Sequence, residues 1–417
     1  MPCIPRDRSV DSTLALLLDP YHFILKRCHL YGADLFKTRI LLRPTICMTG
    51  PEAAELFYRQ DLFVRHGATP DRIQKTLLGQ GGVQGLDDEA HKHRKQMFIS
   101  LMTSERVNYL KELTTESWRI STQNRAAKNQ VVLYDEVQKL LTRAACTWAG
   151  VPLPESELGR RAAELTALFD SAGAVGPKHW WSRLSRQRSE GWIADVVESI
   201  RAGRLSPLED SASHVIATWR DLDGQLLSPR IAAVELLNVL RPIIAVSVFI
   251  TFAAHALNRF SGCRQELLAD DENLELFVQE VRRFYPFFPA VMARARRDFD
   301  WNGYQFPRGR RVMLDLYGTN RDPRVWNAPE EFRPHRFRHW NGSPFNFIPQ
   351  GGGDHELNHR CPGEWITIEL MKVSCKFLTE TIDYNVPDQD LEIDTRRLPA
   401  LPRSRFVIGN VATRGER

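Results

Sequence analysis

Phe347-Ile-Pro-Gln-Gly-Gly-Gly-Asp-His-Glu-Leu-Asn-His-Arg-Cys361-Pro-Gly363 is the stretch from which the rest of the chain reads. Its three consecutive glycines, Gly351 to Gly353, admit backbone conformations closed to other residues and let the chain lie against a flat surface. A polar excursion, Asp354 to Asn358, separates them from Cys361, and Trp365 to Thr379 reads as a helix. A cysteine just ahead of a helix meets unpaired backbone N–H groups and the positive end of the helix dipole, and both favour the thiolate. The arrangement suits an axial thiolate ligand to a haem iron. For a lone cysteine, a structural role after a glycine-rich loop is the plainer reading.

Two motifs upstream change that balance. In Phe277-Val-Gln-Glu-Val-Arg-Arg-Phe284, Glu280 and Arg283 stand three apart, on one helical face where they can pair. Alone, such a pair is usually a solvated bridge. It is followed by Glu331-Phe-Arg-Pro-His-Arg-Phe337, where Arg333 or Arg336 can complete a buried charge network. Glu-x-x-Arg, an acidic-Pro-Arg-Phe box and a glycine-rich loop ending in cysteine, in that order, resemble cytochrome P-450 over nearly the whole chain. The resemblance implies a mainly α fold with small β-sheets, residues 1–417 forming one haem domain, and haem b with Cys361 as the metal ligand. The loop departs from the usual pattern. His359 stands where a basic residue is common two before the cysteine, Arg360 is next to it, and the insert is longer.

Composition agrees with an ordinary globular chain: 417 residues, 43% hydrophobic and 26% charged, enough for a large core. A net charge of +5 is small beside 56 Lys and Arg and 51 Asp and Glu, so nucleic acid is not implied. A modest basic face can attract acidic lipids, acidic partners or carboxylate substrates. Seven cysteines (Cys3, Cys28, Cys47, Cys146, Cys263, Cys361, Cys375) include no Cys-x-x-Cys pair, which favours a reducing, cytoplasmic setting. Met1 to Arg8 is polar and lacks the apolar region of a signal peptide. Leu14 to Leu18 is too short to span a bilayer, and Pro242 to Leu257 reads as a buried core helix, so no membrane span is expected.

That core helix opens at Ser228, a capping residue, with Pro229 at the favoured first position. It is apolar almost all round and therefore central, except for Arg241 and Pro242 in its middle. Proline removes an N–H and kinks the helix. A sunken arginine snorkels to the edge, pairs with a glutamate such as Glu235, or meets a bound anion. Most cytochromes P-450 carry an acid–alcohol pair here that delivers protons to bound dioxygen. The Arg241-Pro242 replacement, the triple glycine, Asp315 to Pro323 and Arg282 to Phe287 resemble the bacterial fatty-acid peroxygenase branch instead. That branch implies hydrogen peroxide as co-substrate, a fatty acid as substrate and no required redox partner. It also implies a substrate carboxylate, clamped by Arg241, acting as general acid–base. Arg241, Pro242 and Gln84 then form the catalytic set. A redox-partner-dependent monooxygenase, a hydroperoxide-rearranging enzyme and a haem-thiolate sensor remain as alternatives.

Further residues follow in chain order. Ser12 to Tyr31 reads as helical. Leu35 to Met48 reads as strand-like, with apolar runs split by Pro44, and Pro51 to Tyr58 as a helix. Thr76 to Asp88 is a glycine-rich loop leading to His91 and Lys95, one helical turn apart. Residues 104 to 225 are mostly helical, with Arg183 to Arg188 most simply a solvated face. Taken alone, Arg65, His91 and Lys95 are surface cations. The resemblance assigns Arg65, His91, Lys95 and Arg294 to the haem propionates. Leu78, Gln84, Phe287, Phe288 and Val291, with Arg241, are the candidates for holding substrate; for the apolar ones, plain packing is equally open. Relatives that decarboxylate often have histidine at the Gln84 position, and glutamine cannot titrate. Phe288 replaces a glycine expected in some relatives, narrowing or redirecting the channel.

Overall fold

A computed structural model describes residues 4–123, 130–171 and 173–414; Cys3 lies outside the described residues. The long helix runs Pro229–Arg259, opened by the Ser228 hydroxyl, which accepts from the Ile231 N–H at 3.3 Å, with Pro229 at its start. It is long and apolar enough to cross a membrane, but 94% of its most apolar window is buried inside the protein. Its neighbours are the helices Leu133–Ala149, Pro177–Arg201 and Glu364–Lys376, so every face is covered. Pro242 stays inside it, leaving the carbonyl of Asn238 without its usual i+4 donor.

Beside this helical body lies a five-stranded sheet, ordered Leu35–Ile40, Arg43–Met48, Arg311–Asp315, Ala290–Ala295, Phe63–Val64. Only the second and third strands pair in parallel. The first two form a hairpin whose turn is Leu41-Leu42, both at positive φ, rather than a break at Pro44. Pro44 is tolerated because the third strand pairs only from Thr45 onward, so no partner there asks for its missing N–H. The first helical patch is likewise divided, into Thr13–Leu18 and Phe23–Tyr31, because Pro20 holds Asp19 out of the helical region. The cysteine-side helix begins at Glu364 and ends at Lys376, where Phe377–Thr381 continues as one wider turn.

The charge network expected around Glu280 is present and buried. Arg283 meets it twice, at 2.7 and 2.8 Å, and Arg336 Nε donates at 3.2 Å. The remaining Arg283 N–H groups reach the carbonyls of Asn320, Pro329 and Glu331 at 3.0–3.2 Å, fastening the segment that leads to the cysteine loop. Of the two candidate arginines, the structure selects Arg336. Arg333 gives Glu280 only its backbone N–H, at 2.7 Å, and turns its side chain outward to Glu331. Removing Arg336 leaves Glu280 buried with one cation fewer, whereas Arg333 loses only a surface pair. Arg336→Ala should therefore cost on the order of 2–4 kcal/mol in denaturant unfolding, and Arg333→Ala within about 0.5 kcal/mol.

Candidate active site

Cys361 is presented by a loop tied down at both ends. Its N–H donates to the Gln350 carbonyl at 3.1 Å, and the Gln350 amide lies 3.8 Å from its Sγ. Gln350 is held in turn by Thr367 at 3.0 Å and Arg282 at 3.1 Å. The glycines answer to crowding. A Cβ on Gly352 would come within 2.7 Å of both Ile348 and the Pro344 carbonyl, and Gly353 sits at φ +82° against the Asn358 side chain. The insert is a turn closed on itself: Asp354 accepts from the Glu356 and Leu357 N–H groups at 2.8 Å, and Asn358 returns to Asp354 N at 2.8 Å and Tyr58 O at 3.0 Å. Beneath the cysteine, Glu364 binds Arg282, Arg360 at 2.7 Å and His355 at 2.9 Å. Burial opposes its ionisation, yet Arg282, His355 and Arg360 hold it far below the ordinary carboxylate range.

The helix end favours the Cys361 thiolate as expected, through the Gly363 N–H, but burial opposes it. Burial, then the Glu364 charge, push the thiol up, outweighing the Gly363 N–H, Lys95 and Arg282.

Three basic residues gather against the loop. Arg65, half-buried over the Phe57 and Tyr58 rings, donates to the Met292 carbonyl at 3.0 Å. His91 is 2% exposed and stacks on His359 with centroids 3.8 Å apart. Lys95 donates to the carbonyls of Asn358 and, at 2.9 Å, Arg360, so it pins the cysteine loop as well as charging it. Burial, Lys95 and Arg65 pull His91 down to about 4, and burial brings Lys95 to about 8 and Arg65 to about 10. None of the three pairs with a carboxylate side chain among the described residues. Two cations without a carboxylate partner, Arg65 and Lys95, and a neutral His91 beside the cysteine loop fit the propionates of a haem held by Cys361. Arg294 is not among them: its side chain lies over Gly67 and Gly309, where its charge is felt by Arg311.

Above Cys361, the central helix carries a polar stripe at 235, 238 and 241. Glu235 is engaged by Arg94 at 2.8 Å and by Asn238 at 3.0 Å. Asn238 also donates to Gln84 at 3.1 Å and accepts weakly from Arg241 at 3.4 Å. Arg241 is buried, its Nε has no partner, and Glu235 is taken by others. Burial, then the like charge of neighbouring Arg186, pull its guanidinium down to about 9. Arg186 is a correction. Instead of a solvated face, it is 1% exposed, bonded to Glu190 at 2.6 Å, and its neighbour Arg183 caps Lys75 O at 2.7 Å. Phe287 packs on Phe249 of the central helix at 4.4 Å and on Phe288 at 4.6 Å. Phe288 bridges two cores, Val291 joins the sheet-side one, and Leu78 the helical one.

Several neighbours of the site escaped the sequence reading: Gln350, Glu364, Asn238, Arg94 and the inward turn of Arg186. Two signals were available. Glu364 is an acid in the first turn of the helix behind the cysteine, and Glu235 and Asn238 recur at threes before Arg241 in an otherwise apolar run.

The family model for cytochrome P450 matches residues 255–401. A solved cytochrome P450SP alpha (CYP152B1) variant is 56% identical, covering 98% of this chain and 100% of its own, with a TM-score of 0.96. Cytochrome P450EX alpha (CYP152N1), solved with myristic acid, is 42% identical over 99% of this chain and 100% of its own, at TM-score 0.96. Among curated proteins, beta-amyrin 28-monooxygenase of Kalopanax septemlobus is 22% identical, covering 91% of this chain and 85% of its own length. The chain belongs to the cytochrome P450 family. Within that family it is an oxidoreductase of the haem-thiolate, fatty-acid peroxygenase branch.

Cys361→Ser should abolish the red-shifted Soret band of the reduced carbon monoxide complex, while Cys375→Ser, buried in the following helix, should keep it; the reverse outcome would move the ligand. Alanine at both His91 and Lys95 should lower haem content after purification to well under the wild-type value, read by absorbance ratio. Full occupancy would remove these two from the haem contacts.

Proposed function

We propose that the whole chain acts as one haem domain in which Arg241 clamps the carboxylate of a fatty acid and makes that carboxylate the proton carrier of the reaction. One observation carries this: a guanidinium buried in an apolar helix, with one weak side-chain partner and an orphaned Nε. Such a charge is costly until an anion meets it. Two relatives support the substrate class, cytochrome P450EX alpha solved with myristic acid and cytochrome P450SP alpha in complex with (R)-ibuprophen, both carboxylic acids.

A haem held by Cys361, with Arg65, His91 and Lys95 towards its propionates, would supply cleavage of the O–O bond of hydrogen peroxide and transfer of one oxygen to the substrate. Among the described side chains around Arg241, none is a free proton carrier: burial pushes Glu235 up towards its neutral form, but its oxygens are already engaged. Gln84 and Asn238 are amides and do not titrate, and Glu235 is committed to Arg94 and Asn238. Held by two N–H groups of Arg241, the substrate carboxylate accepts a proton from one peroxide oxygen and returns it to the departing one. Pro242 supports this by breaking the helix ladder beside the clamp. The same clamp sets Cα or Cβ at the reacting position, so anchoring becomes regioselectivity for α- or β-hydroxylation and, where Cβ is attacked, decarboxylation. Leu78, Phe287, Phe288 and Val291 would line the path of the alkyl chain. Because peroxide brings both oxidising equivalents, no redox partner is needed. The scattered cysteines support a cytoplasmic setting.

Arg241→Ala should weaken fatty-acid binding by roughly one to three powers of ten, from a desolvated charge pair worth on the order of 2–5 kcal/mol, and nearly abolish peroxide-driven turnover. Arg241→Lys should recover only part, since a point charge does not hold two oxygens in a plane. With a substrate lacking a carboxylate, added acetate should switch oxidation on in the wild type. Equal rates with and without acetate would sink the substrate-assisted mechanism.

A further inference from the structure

Arg294 belongs to a second basic group, on the opposite face of the five-stranded sheet from Arg65. Strand alternation sorts the side chains. Ala293 and Leu314 pack with Phe57, Tyr58 and Ile348, under the ring stack of Arg65. Met292, Met313 and Cys47 pack on the other side, with Phe23 and Phe36. Two residues along from Met292 is Arg294, two back from Met313 is Arg311, and four back from Cys47 is Arg43, all of that second parity. In register, Arg311 faces Arg294 on one neighbouring strand and Thr45 on the other, with Arg43 one step further out. Neighbouring strands lie about 5 Å apart, and like charges so placed repel.

Among the described residues, no carboxylate compensates them. No ion pair joins Arg43, Arg294 or Arg311 to a carboxylate among the described residues, whereas Arg296 and Arg297, next along, pair with Asp88 at 2.7 Å and Asp61 at 3.4 Å. Arg311 is 5% exposed and its NH1 nitrogen has no hydrogen-bond partner. Arg294 runs over bare backbone: a Cβ on Gly67 or Gly309, both at positive φ, would lie 3.0 and 3.6 Å from its terminal nitrogens.

We propose that Arg43, Arg294 and Arg311 form a binding site for a phosphate-class oxyanion, apart from the Arg241 site. Three forked donors from three strands match a tetrahedral anion with several acceptor oxygens and up to two charges better than a lone carboxylate, which one guanidinium satisfies. Leu41 and Leu42, exposed at the hairpin tip beside Arg43, make a lipid headgroup one source of that phosphate, with a soluble phosphate ester the other.

The probe is inorganic phosphate added to the purified holoenzyme at constant ionic strength, against chloride. Calorimetric titration should show saturable binding, and the thermal midpoint should rise with phosphate. Arg311→Gln should weaken binding by about tenfold or more. Without phosphate its midpoint should match or exceed the wild type, because it relieves repulsion. Should Arg311→Gln fail to fold, the exposed Arg43→Gln, alone and with Arg294→Gln, tests the same loss. Sedimentation with phosphatidylglycerol but not phosphatidylcholine vesicles, competed by phosphate, assigns the source to lipid; phosphate binding without sedimentation assigns it to a soluble ester. Wild-type midpoints equal in phosphate and chloride would overturn the site. So would undiminished phosphate binding in the variants, or an Arg294→Gln protein that loses haem while keeping phosphate.

Discussion

A guanidinium placed in the middle of an apolar helix is costly until an anion answers it, and among the described residues no carboxylate pairs with Arg241. The one carboxylate within two turns of Arg241, Glu235, is occupied by Arg94 at 2.8 Å. Asn238 offers only an amide oxygen at 3.4 Å, and Arg186, the nearest ionisable neighbour on the flanking helix, adds a like charge. An uncompensated buried charge is a stability cost. Here it coincides with the absence of any titrating side chain in the Gln84–Asn238 pair, so one deficit is read as a demand for an anion and the other as a demand for a proton carrier. The substrate carboxylate proposed to bind Arg241 would meet both.

The proximal side shows the converse economy, with each charge answered several times over. Glu364 holds Arg282, Arg360 and His355, Glu280 holds Arg283 and Arg336, and Lys95 closes the cysteine loop through two carbonyls. Networks of this kind rigidify because each member fixes the next, so a loop built from glycines is held in one conformation. The cysteine then has a fixed position, while burial and Glu364 keep its thiol from ionising unaided.

The main features of the fold were legible along the chain because they rest on local chemistry. Ser228 and Pro229 open the central helix as the capping rules require, Glu280 and Arg283 pair at their helical spacing, and the apolar run from Pro242 is buried. Where local rules misled, a non-local contact overruled them. Pro44 looked like a strand break, but its place outside the neighbouring ladder spares it. Arg183 to Arg188 looked solvated, but Arg186 is drawn in to meet Glu190 and the Leu77 carbonyl.

The sequence by itself determined which residue types were available: one cysteine behind a glycine loop, one arginine and proline inside an apolar helix, and an ordered set of motifs that carries the family. Only the tertiary structure decided which charges met. It chose Arg336 over Arg333 for Glu280, gave Glu235 to Arg94 rather than Arg241, and turned Arg294 away from Arg65 to the far face of a sheet. The reason is geometric. Capping and helical pairing act within four residues, whereas a buried charge is stabilised by whatever lies within a few ångströms after folding, and those partners here stand tens to hundreds of residues away.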